Sequence, residues 1–157
     1  IKLDREEISE LHDLNEIITH EVQAETNRGR DIRMTLTPIP LMMIRGTALK
    51  RVLGNLISNA IKFSDKRKGL IELDVVDINS HYHFSVKDNG IGIEKKYHSE
   101  VFKIFHTYTN NKNSSGIGLS IVRKIVELYK GKIWIESELG EGTTINFTIK
   151  KESLGTT

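Results

Sequence analysis

The architecture is determined by NLISNAIKF (residues 55–63), DNGIGI (88–93), GIGLS (116–120) and GEGTT (140–144), four motifs that occur in this order. The first lies on an amphipathic helix, the second follows an alternating strand, the third precedes another helix, and the fourth turns a hairpin. Each motif by itself is also typical of a solvated helix face, a turn or a loop. Their joint order outlines one ligand site that combines side-chain amides on a helix, a carboxylate after a strand and a glycine-rich loop before a second helix.

The elements around the motifs follow from hydrophobic periodicity. Helical spacing of apolar residues predicts helices over 11–27, 47–62, 95–104 and 119–130, with Gly131 placed to cap the last. Alternation predicts strands over 1–8, 32–36, 71–76, 82–87, 132–136 and 144–150. The sum is an α/β sandwich, a mixed sheet of about five strands with about three helices on one face.

Composition indicates a single globular domain. The 157 residues are 38% hydrophobic, which is enough for a sizeable core. The net charge of +2 with interspersed signs predicts neither a nucleic-acid surface nor a membrane-contacting patch, and the lack of cysteine excludes disulfides and thiolate metal sites. We expect a cytoplasmic, monomeric domain over residues 1–151 with a frayed tail at 152–157. Because Ile1 is not an initiator Met, we expect a longer parent chain, which can still be membrane-anchored.

A polar stripe on the helix over 47–62 carries the first candidate site. Asn55 and Asn59 lie at i and i+4, and Lys62 extends the same face. Asn is unfavourable inside a helix because its amide competes for the backbone, so two on one face need a reason. An amide oxygen is a hard ligand that suits Mg²⁺, and a lysine meets phosphate as a point charge. The alternative is a solvated polar face.

The glycine-rich motifs carry the other candidates. Asp88 ends a strand, where a carboxylate can accept the exocyclic amine of adenine, and Gly90 and Gly92 allow close backbone approach. Gly116 and Gly118 lie just before a helix whose N-terminal amides and dipole favour phosphate. In the last motif, the functional interpretation places the Thr144 hydroxyl at the adenine pocket beside Asp88. The alternative for each motif is an ordinary turn or loop.

Together the four motifs resemble the catalytic ATP-binding domain of sensor histidine kinases, within the superfamily of gyrase, heat-shock chaperone, histidine kinase and mismatch-repair ATPases. The resemblance runs from about Ile32 to Ile149. It implies a two-layer Bergerat-type sandwich that binds ATP and Mg²⁺ and transfers the γ-phosphoryl group to a histidine. The implied partners are the dimerisation and phosphoacceptor helices of the parent kinase, and beyond them a response regulator.

The resemblance also implies roles for individual residues. Asn59 is the implied Mg²⁺ ligand, Lys62 would meet phosphate, and Asp88 would read the adenine amine. Where the family often has an arginine in its ATP lid, this chain has Thr107, so Lys112 is the candidate for a lid contact with phosphate. The other implied ATP contacts are Asn55, Phe63, Gly90, Gly92, Ile93, Gly116, Gly118, Leu119 and Thr144.

The phosphate acceptor is expected outside this chain. Among the six histidines, His20 is followed by an acidic residue but lacks the family's Arg-Thr-Pro, and it lies too close to Asn59 for a dimerisation hairpin to fit between them. We therefore expect a chain that binds Mg-ATP with little self-phosphorylation. Two alternatives stay open: a serine kinase of the anti-sigma-factor type and a nucleotide-gated ATPase clamp of the same superfamily.

Overall fold

The computed structural model describes residues 19–20, 23–24, 28–29, 31–37, 46–103 and 118–151. Its elements in chain order are β1 (Asp31–Leu36), α1 (Gly46–Lys62), β2 (Lys68–Asp77), β3 (His81–Asp88), a 3₁₀ turn (Lys95–Tyr97), α2 (Gly118–Leu128), β4 (Ile133–Glu138) and β5 (Gly142–Lys150). The predicted strand over 1–8 and the tail at 152–157 lie outside the described residues. So does most of the predicted helix over 11–27, within which residues 19–20 and 23–24 are helical.

One mixed sheet contains the five described strands in the order β1-β2-β3-β5-β4. β1 runs parallel to β2, and every other neighbouring pair is antiparallel. The β3–β5 register places Asp88 opposite Thr143 at one end of the sheet. The predicted mixed α/β sandwich is therefore confirmed, and this end of the sheet is where the site forms.

The helices pack on one face of the sheet through apolar side chains. α1 contributes a stripe at helical spacing, whose members are each 3% exposed or less: Leu49, Val52, Leu53, Leu56, Ile57 and Ala60. In the centre of the sheet, the rings of Phe84 and Phe147 stack with centroids 4.7 Å apart. Each large apolar side chain buried here stabilises the fold by about 1.5–3 kcal/mol. No helix in the described ranges is long and apolar enough to cross a membrane.

The described part of the range 95–104 is not the helix that was predicted. This part is the 3₁₀ turn Lys95–Tyr97 followed by further turns, so the α-helices whose bounds are described are two, α1 and α2, where about three were predicted. The backbone bonds from Tyr97 to Glu94 and from His98 to Lys95 span three residues instead of four. The bonds from Glu100 to Tyr97 and from Lys103 to Glu100 also span three residues, so turns carry the buried Val101 and Phe102.

The end of α2 also differs from its prediction. The left-handed residue is Lys130, with φ of 55°, and not Gly131. The Lys130 amide donates to the Glu127 carbonyl and the Gly131 amide to the Val126 carbonyl, which is the bonding of a Schellman cap. A Cβ atom on Gly131 would lie 1.7 Å from the Thr148 carbonyl oxygen, so glycine is needed there for close packing against β5.

Candidate functional site

A pocket lies between the helices and the end of the sheet that carries Asp88. It encloses about 450 Å³ of unfilled space, counted to its open mouth. Its walls combine apolar side chains with a few polar groups, which is typical of a small-molecule site. The lining residues are Leu56, Asn59, Ala60, Phe63, Val86, Asp88, Ile91, Gly92, Ile93, Leu119, Thr143 and Ile145.

Six of the predicted ATP contacts lie in this lining, namely Asn59, Phe63, Asp88, Gly92, Ile93 and Leu119. The first residue of α2 also faces the polar stripe of α1, because a Cβ atom on Gly118 would lie 4.0 Å from the side chains of both Asn55 and Asn59. Lys62 is the last residue of α1 and is not in the lining. Lys112 and Gly116 lie outside the described residues.

Thr144 is not brought into the pocket; Thr143 takes that place. Side chains alternate across a strand, so only one of two consecutive threonines can face the helices. Thr143 pairs with Asp88 in the sheet and is 9% exposed. The sequence held a signal for this register, because the buried Ile145, Phe147 and Ile149 follow Thr143 at every second position.

Asp88 is fixed at the base of the pocket by two backbone amides. Its Oδ1 accepts the Gly90 amide at 2.9 Å and the Thr143 amide at 3.3 Å. Burial raises the pKa of the Asp88 carboxyl; the two amide hydrogen bonds counteract this, and the nearby charge of Asp65 raises the pKa further. Among the described residues no hydrogen bond to Oδ2 is found, so this oxygen is left to accept from a ligand.

Two glycines of the site bring the chain close to itself. Gly92, with φ of 73°, would place a Cβ atom 2.0 Å from the Glu138 carbonyl oxygen. Gly142, with φ of 119°, would place one 2.1 Å from the Asp88 carbonyl oxygen. Close backbone approach was predicted for Gly92 and not for Gly142; in the structure both glycines join the loop after β3 to the β4–β5 hairpin. The hairpin is thereby held against Asp88.

Asn89 supports the site and was missed as a functional candidate. Its Oδ1 accepts the Leu70 amide at 2.8 Å and its Nδ2 donates to the Lys68 carbonyl at 2.9 Å. These bonds hold the loop after β3 against the start of β2, directly beside Asp88. In the sequence Asn89 was only part of a turn signal, because its partners are remote along the chain.

Ser137 is the second residue that sequence analysis missed. Its Oγ accepts the Ile93 amide at 2.8 Å, donates to the Gly142 carbonyl at 2.8 Å and lies 2.7 Å from Thr143 Oγ1. One hydroxyl on β4 therefore contacts both glycine-rich motifs that border the pocket. No local pattern marks it, because Ser137 lies outside all four motifs.

The few side-chain oxygen atoms that the pocket offers as metal ligands suit a Mg²⁺ ion that a nucleotide also binds. They do not suit a metal ion held by protein side chains alone. The described residues contain no group of three or more His, Cys, Asp or Glu side chains able to hold a metal. Asn59 supplies an amide oxygen in the lining, with Asn55 one turn away. Mg²⁺ retains several waters and takes few protein ligands besides substrate phosphates, so this sparse set is compatible with a metal carried by a nucleotide.

Solved structures with this architecture are histidine kinase domains. The catalytic domain of histidine kinase ThkA superposes with a TM-score of 0.72 at 26% identity, covering 91% of each chain. Full-length ShkA, solved in complex with AMPPNP, superposes with a TM-score of 0.73 at 24% identity, covering 98% of this chain and 32% of ShkA. The fold is that of the ATPase domain of histidine kinases.

The chain belongs to the family described as histidine kinase-, DNA gyrase B-, and HSP90-like ATPase, which matches residues 45–153. Cyanobacterial phytochrome A from Nostoc is 41% identical over 119 residues, which are 74% of this chain and 15% of the phytochrome. The methanogenesis regulatory histidine kinase FilI from Methanothrix harundinacea is 35% identical over 137 residues, 84% of this chain and 16% of FilI. The chain thus spans less than a fifth of these relatives.

Proposed function

We propose that this domain binds Mg-ATP and donates the γ-phosphoryl group to a histidine on the dimerisation helices of a parent sensor kinase, for relay to a response regulator. The observation that carries the proposal is Asp88, whose Oδ1 is fixed by two amides while Oδ2 is left for a ligand at the base of the pocket. An ionised carboxylate accepts hydrogen bonds only, which suits the exocyclic amine of adenine.

The adenine end of the proposed site is built from β3, β5 and the loop after β3. Asp88 Oδ2 accepts the amine, Thr143 lies beside it in place of Thr144, and Ile93 and Ile145 supply apolar walls for the ring. Gly90 acts through its amide on Asp88. Gly92 acts by holding the loop close to the hairpin.

The phosphate end of the proposed site lies along the polar stripe of α1. Asn59 is the proposed Mg²⁺ ligand, with Asn55 beside it, and Lys62 meets phosphate. Gly118 and Leu119 open α2, so the first amides of that helix are directed at the same space. The metal, when bound, would neutralise charge on the phosphate oxygens. Lys112 and Gly116 remain proposed contacts from sequence alone.

Phosphoryl transfer needs positioning and charge stabilisation more than covalent chemistry from the protein. In the proposed division of roles, this domain holds the base, orients the phosphates and lines the pocket with apolar groups. The accepting histidine and the general base lie on the separate helices. The sensor kinases among the relatives support this proposal over the serine kinase and the ATPase clamp.

Calorimetric titration of the 157-residue chain with Mg-ATP tests the binding step. We expect one saturable site and no stable phosphohistidine on the chain itself after incubation with γ-labelled ATP. Label should move to the acceptor helices of the parent kinase when these are added in trans. Absence of binding would overturn the nucleotide site; a labelled histidine on the isolated chain would overturn the proposed location of the acceptor.

A further inference from the structure

Ser137 forms a hydroxyl junction whose hydrogen atoms can be assigned. The Ile93 amide donates to Ser137 Oγ at 2.8 Å and occupies one acceptor position. The Gly142 carbonyl lies 2.8 Å from the same oxygen and can only accept, so the single Ser137 hydroxyl hydrogen points to it. The remaining neighbour is Thr143 Oγ1 at 2.7 Å, which must then donate its hydrogen to Ser137.

This assignment fixes the polarity of the pocket. Once the Thr143 hydrogen is used by Ser137, the Thr143 hydroxyl can only accept from a ligand. Asp88 pairs with Thr143 in the sheet and lines the same pocket, and its Oδ2 accepts as well. Both polar groups at this end of the pocket therefore favour a base edge that donates hydrogen bonds, and both oppose a base that presents a carbonyl oxygen to them.

We propose that Ser137 is a specificity-determining positioning residue, which holds the Thr143 hydroxyl as an acceptor and so favours a 6-aminopurine over a 6-oxopurine. The proposal rests on the proposed nucleotide function. Ser137 is not in the pocket lining, so it acts through Thr143 and does not contact the base. Without the Ser137 hydroxyl, Thr143 is free to turn its hydrogen into the pocket and donate to a 6-oxo group.

The test compares the affinities of the 157-residue chain for ATP and ITP, whose bases carry an amino and an oxo group at this position. In Ser137→Ala we expect the ATP-to-ITP affinity ratio to fall by roughly threefold to tenfold, the size of one net hydrogen bond. Ser137→Thr retains a hydroxyl and should restore the ratio. Ser85→Ala removes a serine hydroxyl from the same sheet outside the pocket and should leave the ratio unchanged.

A double-mutant cycle distinguishes action through Thr143 from a general loosening of the site. In a Thr143→Val background, Ser137→Ala should no longer change the ratio; an equal change with and without Thr143 would overturn the proposal. If Ser137→Ala does not fold, as judged by its melting curve, Thr143→Val alone decides. Thr143→Val removes an acceptor, so it should lower the affinity for ATP more than the affinity for ITP. An equal or larger loss of affinity for ITP would overturn the proposal.

The outcomes also separate this proposal from the proposed function. If wild-type protein binds no ATP, both fall. If wild-type protein binds ATP and the ratio is unchanged in a folded Ser137→Ala variant, the role of Ser137 is wrong and the nucleotide site stands.

Discussion

At the scale of single residues, Asp88 combines a requirement of binding with a penalty for folding. The proposed contact with the adenine amine requires an ionised carboxylate, yet burial raises the pKa of that carboxyl. A buried charge that waits for a ligand destabilises the empty protein. Substitution of this residue should therefore separate affinity from stability.

Asp88→Asn should weaken ATP binding by about 1.5–3 kcal/mol, because a charged acceptor is lost. The same change should raise the melting temperature of the empty protein at neutral pH, since Asn keeps an oxygen for the Gly90 and Thr143 amides and carries no buried charge. Calorimetry and thermal melts measure the two effects. Unchanged affinity would contradict the role given to Asp88.

The stability difference between wild type and Asp88→Asn should depend on pH in a defined direction. The folded-state pKa of Asp88 lies above its ordinary value of 3.8, so the folded form binds the proton more tightly than the unfolded chain. The destabilisation is present above the folded-state pKa and is relieved as the pH falls through it. The melting temperatures of wild type and Asp88→Asn should therefore converge as the pH falls. A difference that widens on acidification would refute this linkage.

Asn59→Ala tests the proposed metal ligand. Loss of the amide oxygen should reduce the Mg²⁺ dependence of ATP binding, while the helix itself should not be weakened because Ala is the better helix former. Ser58→Ala, an exposed change on the same helix, is the matched control. Titration of Mg²⁺ at fixed ATP gives the answer, and an identical metal dependence in both variants would place the metal elsewhere.

At the scale of elements, periodicity predicted α1 and α2 well because each buries a continuous apolar stripe. It failed at 95–104, where the described backbone forms a 3₁₀ turn and further turns with bonds that span mostly three residues. The motif alone suggested that Thr144 lies in the pocket. The strand register, which pairs Thr143 with Asp88, places Thr143 there instead. Contacts between segments remote along the chain, such as those of Asn89 and Ser137, leave no local pattern and could not be predicted.

The two glycines of the β4–β5 turn should respond differently to substitution. A Cβ atom at position 140 would have no neighbour within 4 Å, so Gly140→Ala should destabilise the fold only through its left-handed backbone at φ of +85°. We expect a loss of about 1–2 kcal/mol in the free energy of unfolding. Gly142→Ala would collide with the Asp88 carbonyl, so it should cost clearly more and should weaken ATP binding too. Chemical denaturation compares them; equal losses would contradict the packing role of Gly142.

At the scale of the whole molecule, the site exists only when the sheet and both helices have assembled. α1, the end of β3, the start of α2 and β5 all contribute lining residues; the antiparallel β3–β5 pairing brings Asp88 and Thr143 together, and the apolar core holds the helices over them. The sequence predicted the family, the sandwich and half of the lining residues because the motifs are local. It could not predict how the hairpin is attached to the pocket.

Because the pocket requires the folded sandwich, Mg-ATP should stabilise the whole domain. Binding only to the folded state adds about 2.7 kcal/mol at a ligand concentration of 100 times the dissociation constant. Thermal melts with increasing Mg-ATP should shift upward in wild type and much less in Asp88→Asn. A shift of equal size in both proteins would indicate binding outside the Asp88 pocket.

β4 is the last strand of the described sheet and pairs with β5 alone. Strands with one neighbour open locally at a lower free energy than central strands, so their amides exchange with solvent sooner. Ser137 lies on this strand, whereas Asp88 lies on the central β3. Transient opening of the sheet edge would therefore release the Thr143 hydroxyl while the carboxylate stays in place, so discrimination between bases should fade on warming before nucleotide binding itself is lost.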